Sequence, residues 1–176
     1  MGINDSPYVV KPIVNGIKTI CPYYSRWFLM INRCYNPRYQ ADKPSYKGVS
    51  VCNDWLTFTS FKEWMEKQDW ENKELDKDLL FPGNKVYSPN TCVFITRDLN
   101  ALLAIGGTKS NLPRGMTKRT NKYLVRCGNE YIGYYDTVEE ATIVYKKHKK
   151  KRLVKIANEQ SDIRIKEGLI RHAINV

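Results

Sequence analysis

Histidine is nearly missing from this chain of 176 residues: only His148 and His172 occur. Imidazole is the usual source of a general base near neutral pH, and a common zinc ligand, so most of the chain lacks both chemistries. The five cysteines, Cys21, Cys34, Cys52, Cys92 and Cys127, are odd in number and form no CxxC pair. That pattern argues against a zinc ribbon and a disulfide framework and for reduced, mostly core thiols in a cytosolic protein. Long apolar runs are also missing. The longest, near Leu99–Ile105, is far short of the ~20 residues that span a bilayer. No secretory signal opens the sequence. Met1-Gly2-Ile3-Asn4-Asp5-Ser6 fits a myristoylation pattern so loosely that it is read as chance.

Acid is scarce as well. Twenty-nine Lys and Arg face 18 Asp and Glu, for a formal net charge of +11. Between Lys109 and Lys155 the balance is thirteen cations to four acids, so most of the excess lies in about a quarter of the chain. Such a density suits a polyanion, whose condensed counterions are released when its phosphates are neutralised. An anionic membrane is the rival ligand and a merely solvated cationic surface the bland one. Apolar residues make up 42%, enough for a modest core and too many for a disordered chain. The length suits one domain or two small ones.

Pro7, Pro12 and Gly16 predict an extended arm over residues 1–20. Apolar spacing at Trp27, Met30, Ile31 and Cys34 predicts a helix over Tyr24–Tyr35, ended by Asn36-Pro37. Gly48 marks a tight turn within Tyr46–Val51. Ser60-Phe61-Lys62-Glu63 reads as the capping box of a second helix, with Phe61, Trp64 and Met65 facing inward. Next come two strand-like runs, Leu75–Leu80 and Val86–Ile95, joined by a Pro82-Gly83 turn. A helix then starts at Thr96 and carries Leu99, Leu102 and Leu103. Gly106-Gly107 reads as a flexible joint. Beyond it, strands over Arg114–Lys118, Lys122–Cys127 and Tyr131–Tyr135 are separated by hairpin turns at Thr120-Asn121 and Gly128-Asn129. A helix capped near Thr137 runs through Tyr145 into Lys146–Lys151, and Ser161–Ile174 forms the last helix.

Alternate side chains of a strand share a face, so Lys122, Leu124 and Arg126 oppose Tyr123 and Val125. Arg114, Lys118 and Arg119 come from the neighbouring strand and turn. A three-stranded sheet with cations on one face and a helix on the other can enter a major groove. There Arg reads guanine bidentately, and Lys or Tyr holds phosphate. The segments Pro113-Arg114-Gly115-Met116, Lys122-Tyr123-Leu124-Val125-Arg126 and Tyr131-Ile132-Gly133-Tyr134-Tyr135-Asp136-Thr137-Val138-Glu139-Glu140-Ala141, with Tyr145, resemble an APETALA-type DNA-binding domain. The resemblance covers about 45 residues. It implies base and phosphate contacts at Arg114, Lys118, Arg119, Lys122 and Arg126. Lys149 and Lys150, in the basic run at the helix end, are expected to touch backbone phosphate only.

Phosphodiester hydrolysis needs a divalent cation, an activated water and a sink for the leaving oxygen's charge. In a small strand–turn–strand–helix unit, a carboxylate ending the first strand and an amide on the helix can hold one Mg²⁺, and a basic neighbour can activate the water. Asp76, Asn100 and Lys77 occupy those positions. The stretch resembles the HNH, or ββα-metal, nuclease motif of phage homing-endonuclease-like proteins. Trp27, Met30, Arg33, Cys34 and Tyr35, and then Gly48, Val49, Val51, Cys52 and Trp55, resemble the segments that precede it. The resemblance assigns Asp76 and Asn100 to the metal, Lys77 to the general base and Asn90 to the residue that braces the loop. Tyr87 is a second candidate activator of water. Lys77 stands where the motif has His, and its acidic neighbours Asp76 and Asp78 favour the ammonium, which a bound Mg²⁺ opposes.

The expected architecture is α+β: a ββα-metal HNH-like module over residues 1–106, a linker over 107–111, and a three-stranded antiparallel sheet packed on one helix, with a helical extension, over 112–176. The expected partner is double-stranded DNA, since the A-form major groove of RNA is too narrow for a sheet. No membrane and no organic cofactor are expected. The compartment is cytoplasmic, that of a bacterial host if the chain is phage-encoded. Two activities stay open: a Mg²⁺-dependent endonuclease or nickase, favoured by Asp76, Asn90 and Asn100, and a non-catalytic DNA-binding protein on the same scaffold, favoured by the missing motif His.

Overall fold

The computed structural model describes residues 2–104 and 112–176. The protein is α+β and divides into two compact units, Met1–Ile95 and Thr96–Val176. The division precedes the helix that follows Thr96, so that helix groups with the C-terminal unit. The Gly106-Gly107 joint lies outside the described residues.

The first unit begins with a hairpin, β1 (Ile13–Val14) and β2 (Ile17–Lys18), in antiparallel register. Its turn residues Asn15 and Gly16 both have positive φ, 52° and 77°, the backbone of a type I′ turn that only residues such as Asn and Gly adopt readily. Helix α1 (Pro22–Tyr35) starts with Pro in its first turn, where a missing N–H costs nothing. It ends at Asn36, whose side-chain oxygen accepts the N–H groups of Arg38 and Tyr39 and so caps α2 (Pro37–Asp42). Strand β3 (Ser50–Val51) and helix α3 (Phe58–Met65) follow. Trp27, Met30, Trp55, Phe58, Phe61 and Met65 are buried together, and the Trp27 indole donates to the Trp55 carbonyl at 2.8 Å.

The capping box at Ser60–Glu63 does not form, because α3 starts earlier, after Thr57, and Ser60 lies inside it. Thr57 makes no side-chain cap either. The cap comes instead from far along the chain. Asp5 Oδ1 accepts the Thr59 N–H at 2.9 Å, and its other oxygen accepts the Thr59 hydroxyl. Ile3 pairs beside Thr57, donating to the Leu56 carbonyl at 2.7 Å and accepting from Phe58 N–H at 3.0 Å. The start of the predicted arm is therefore stitched to α3.

The predicted hairpin over 75–95 is also revised. Strand β4 (Lys73–Asp76) pairs with β6 (Val93–Thr96), whereas β5 (Val86–Tyr87) pairs in parallel with β3. The break falls at Pro89, which has no N–H to give a ladder. Thr91 and Cys92 N–H both bond back to the Ser88 carbonyl, closing a turn between β5 and β6.

In the second unit Thr96 caps α4 (Arg97–Leu103), accepting the Leu99 N–H at 3.3 Å. Strands β7 (Met116–Arg119), β8 (Lys122–Cys127) and β9 (Glu130–Tyr135) form an antiparallel sheet in that order, as the sequence pattern predicts. Helix α5 (Val138–Asn158), capped by Thr137, packs on β8 and β9, and α6 (Ile163–Ile174) packs on α5. Met116, Val125, Cys127, Tyr145, Leu153 and Leu169 are buried. Among the described residues no helix is long and apolar enough to cross a membrane.

Gly115 admits no other residue. Its φ is +81°, and an added Cβ would lie 2.4 Å from both the Arg126 carbonyl oxygen and the Tyr145 ring. Gly115→Ala is expected to destabilise the second unit by roughly 2 kcal/mol or more, combining left-handed strain with a backbone clash. Thermal unfolding checks this, with Gly83→Ala as the comparison: it shares the positive φ, but its Cβ would meet nothing within 4 Å.

Candidate functional site

Strand register decides which cations share a surface. Val125 and Cys127 are fully buried on the side that α5 covers, so Lys122, Leu124 and Arg126 point the other way. Thr117 pairs with Leu124 and Arg119 with Lys122, which puts both on that outer face. On β9, Tyr134 pairs with Leu124 and Tyr131 with Arg126, a bulge between Val125 and Arg126 keeping both tyrosines outside. Both rings are exposed and meet edge to face, centroids 6.1 Å apart. The outer face therefore carries Arg119, Lys122 and Arg126 beside two tyrosines and one leucine. Lys122 Nζ lies 3.1 Å from Asp136, an exposed pair of little energetic weight.

The other cations singled out from the sequence lie elsewhere. Lys118 pairs with Tyr123, so it is on the opposite face from Arg119. Arg114 precedes β7 and is half-buried; its Nη1 donates to the Ala101 carbonyl at 3.3 Å, and its Nε is buried without a hydrogen-bond partner. It holds its own unit together and is no strand-face fork. Lys149 and Lys150 are on α5, behind the sheet. Lys149 is half-buried there. Burial lowers its pKa against the pull of the Cys127 thiol, and Arg114 adds to the lowering. Lys150 is exposed. Two residues of the basic run on α5 are already engaged. His148 meets Glu130 at 2.6 Å, and Arg152 donates to the Cys127 carbonyl.

In the first unit, the loop after β4 is built around three residues. Asp76 Oδ1 accepts the N–H groups of Asp78 (3.0 Å) and Leu79 (2.7 Å), an Asx turn that bends the chain as the strand ends. Burial pushes the Asp76 carboxyl above the ordinary range. The Leu79 and Asp78 N–H groups and Lys77 oppose this, and the Asp78 charge reinforces it. Lys77 is only 7% exposed, and its Nζ donates at 2.7 Å both to Asp78 Oδ1 and to the Asn84 carbonyl. Asn84 answers: its Nδ2 donates to the carbonyls of Lys77 (3.0 Å) and Val86 (2.7 Å), while its Oδ1 accepts the Val86 N–H (3.1 Å).

This geometry redistributes the roles expected from the sequence. Asn84 braces the loop; Asn90 sits exposed in the 88–91 turn. The clue in the sequence was the Gly83-Asn84 step after Pro82, since Asn side chains close turns on their own backbone. Lys77 serves as a buried cross-link, its ammonium donating to Asp78 and to the Asn84 carbonyl. Tyr87 is 2% exposed, and burial drives its phenol well above the usual value, against the pull of Arg33. A buried neutral phenol does not activate water. Asn100 lies on α4 in the second unit.

Arg33, which the sequence placed only in the segment before the motif and gave no role, is partly buried beside two phenols. Its guanidinium carbon lies 5.6 Å from the Tyr46 ring centroid, and its Nε is buried without a hydrogen-bond partner. Burial works to lower its pKa, but the phenols of Tyr87 and Tyr46 beside it outweigh this and the net shift is upward. Tyr46 also feels Asp78 and Asp76, so the cation, the phenols and the acid pair share one neighbourhood.

Comparison of the chain with family models, with curated proteins and with solved structures finds no match. Its own geometry is therefore what can be tested. Asn84→Ala removes three hydrogen bonds from a partly buried loop and is expected to cost about 1–3 kcal/mol of stability. Asn90→Ala should stay within about 0.5 kcal/mol, the usual range for an exposed side chain. Chemical denaturation of both variants makes the comparison; equal costs would return the brace to Asn90.

Proposed function

We propose that the chain binds double-stranded DNA through the outer face of the β7–β8–β9 sheet. The observation that carries this is the register that gathers Arg119, Lys122, Arg126, Tyr131 and Tyr134 on one exposed face with α5 behind it. Three strands about 4.8 Å apart span roughly 10 Å, close to the width of a B-form major groove at about 12 Å. Arg119 and Arg126 present planar forks suited to guanine O6 and N7, and Lys122 is a point charge for phosphate. The tyrosines add apolar area with hydroxyls at its rim. The resemblance of the 113–145 segments to APETALA-type domains supports the same reading.

A second reading, a Mg²⁺-dependent DNA endonuclease or nickase, is favoured by Asp76. Its buried carboxyl has one oxygen occupied by two backbone N–H groups, while the other accepts neither of them. Burial disfavours its anion, and a cation would relieve that cost. Asp76 and Asp78 are hard oxygen donors, and one or two carboxylates with retained water are what Mg²⁺ takes. Asp78 Oδ1 is shared with the Lys77 ammonium, yet the donor types suit the ion. When bound, it would act as a Lewis acid on a phosphoryl oxygen. Lys77 and Asn84 would hold the loop that carries Asp78. No side chain of this neighbourhood is placed as a general base. The reading without catalysis draws on that, and on the hydrogen bonds that occupy Lys77.

Fluorescence anisotropy on a selected duplex and a scrambled one tests the first reading. Arg126→Ala is expected to lose about 1–3 kcal/mol on the selected site and little on the scrambled one. Equal losses on both would make Arg126 a phosphate clamp, and full affinity in the variant would remove the sheet face from the interface. Incubation with supercoiled plasmid tests the second. Nicking that needs Mg²⁺, stops with EDTA and is lost in Asp76→Ala would establish the nuclease. An intact plasmid under saturating protein would leave a DNA-binding protein.

A further inference from the structure

The β1–β2 hairpin is built unlike a surface loop. Its ladder runs from Cys21 N–H to the Val10 carbonyl (2.8 Å) and from Thr19 N–H to the Pro12 carbonyl (2.9 Å), up to the Asn15-Gly16 turn. Val10 is buried and fixes the base. Residues 11–14 separate this base from the turn, and the last two of them, Ile13 and Val14, form β1. The tip then leaves apolar side chains in water: Ile13 is 66% exposed, Val14 51% and Ile17 67%. Val14 pairs with Ile17 on one face beside the turn, and Ile13 pairs with Lys18 on the other. A two-stranded ribbon gains little from such residues unless something covers them.

Charge says what covers them. No acid occurs between Asp5 and Asp42, while Lys11, Lys18, Arg26, Arg33 and Arg38 all do. Lys18 flanks the tip, and Lys11 rides over the Tyr24 and Phe28 rings at 5.5 and 5.1 Å, near the base of the hairpin. A second copy of the hairpin would bring this acid-free segment against itself. A duplex supplies both complements at once, phosphates for the lysines and an apolar base stack for the tip. Proteins that bind in the minor groove insert aliphatic wedges between base steps and kink the duplex by about 20–90°.

Building on the DNA-binding reading, we propose that the β1–β2 hairpin is a DNA-bending wedge that inserts the Val14–Ile17 pair at a base step from the minor groove, with Lys11 and Lys18 on the flanking phosphates. Pyrimidine–purine steps unstack most readily and are its preferred sites. Affinity for duplex in general comes from the sheet face of the second unit, so the wedge changes the shape of the DNA more than the strength of binding.

The test uses the full chain and a duplex with 2-aminopurine beside a central TA step and a donor–acceptor dye pair on its ends. Anisotropy reports binding, 2-aminopurine emission reports unstacking, and energy transfer reports bending. On binding, the wild type is expected to raise both emission and transfer. Val14→Ser/Ile17→Ser, confined to exposed side chains, is expected to keep the wild-type melting temperature. It should bind within about tenfold of wild type while leaving both optical signals at the level of bare DNA. Lys18→Gln should keep the bend and reduce the salt dependence of binding by about one unit. A wild type that saturates the duplex with no optical change overturns the wedge, as does a double variant that bends DNA equally well. A wild type with no anisotropy change on any duplex removes the DNA-binding reading itself, and the wedge with it. Co-sedimentation with phosphatidylserine vesicles is the last arm. Hairpin-dependent vesicle binding, with DNA bending unchanged in the double variant, assigns the tip to membranes instead.

Discussion

Val125 and Cys127 have no exposure at all, and the surface of the second unit follows from that burial. Two residues in one strand period under α5 fix which way every other side chain of β8 must point. A register slip of one residue would bury Lys122, Leu124 and Arg126 and expose the core pair, a change that leaves cations without water or partners. Gly115 adds a lock. Its carbonyl accepts the Arg126 N–H at 2.7 Å, and the Tyr145 ring presses where a side chain would be. The same contact that aligns β7 with β8 thus also holds the backbone of Arg126, the arginine proposed to meet DNA.

In the first unit the equivalent constraint is a buried ammonium. A lysine taken from water is costly unless its charge and donors are met, and Lys77 is met by Asp78 and the Asn84 carbonyl. Asn84 returns the bond to the Lys77 carbonyl, so strand end and loop end are tied in both directions. Removing one partner would strand the other. This explains how the loop after β4, with Pro82 and Gly83 near its far end, can hold Asp76 and Asp78 in fixed relation. It also explains why a lysine is tolerated where the resemblance calls for histidine: here it serves structure, and the acid pair keeps its geometry with or without chemistry.

The elements whose signals are local were legible. Period-two alternation, Thr120-Asn121 and Gly128-Asn129 gave the sheet, and Thr137 gave the start of α5, because each depends on residues within a few positions. What failed depends on partners far along the chain. The α3 cap is Asp5, 54 residues from Thr59, and no capping box pattern looks that far. The parallel pairing of β5 with β3 joins Val86 to Ser50, while adjacent runs with a Pro-Gly turn between them read as a hairpin. The strand end at Asp76 was legible, because a strand end is visible in sequence. The brace was misplaced by six residues because Asn84 and Asn90 both sit in proline-containing turns, Gly83-Asn84 after Pro82 and Asn90 after Pro89, and the resemblance pointed to the second. Arg114 and Lys118 illustrate a subtler limit: positive charge was counted correctly, but the face of a side chain depends on where the strand starts.

Charge and shape then divide the work. The outer sheet face offers three cations, and if all three met phosphate they would account for a salt slope of only about −3 at roughly 0.9 per contact. An arginine that reads guanine contributes less to that slope and more to discrimination. So few contacts make weak general binding, which leaves sequence recognition little free energy to build on. Further cations lie on α5 and in the acid-free segment of the first unit. If the chain binds DNA as proposed, contacts from both units would add to one another. Bending lets one duplex meet more protein surface than a straight one, and a wedge on the N-terminal hairpin would supply the bend, offsetting its unstacking cost with phosphate contacts that a straight duplex cannot make.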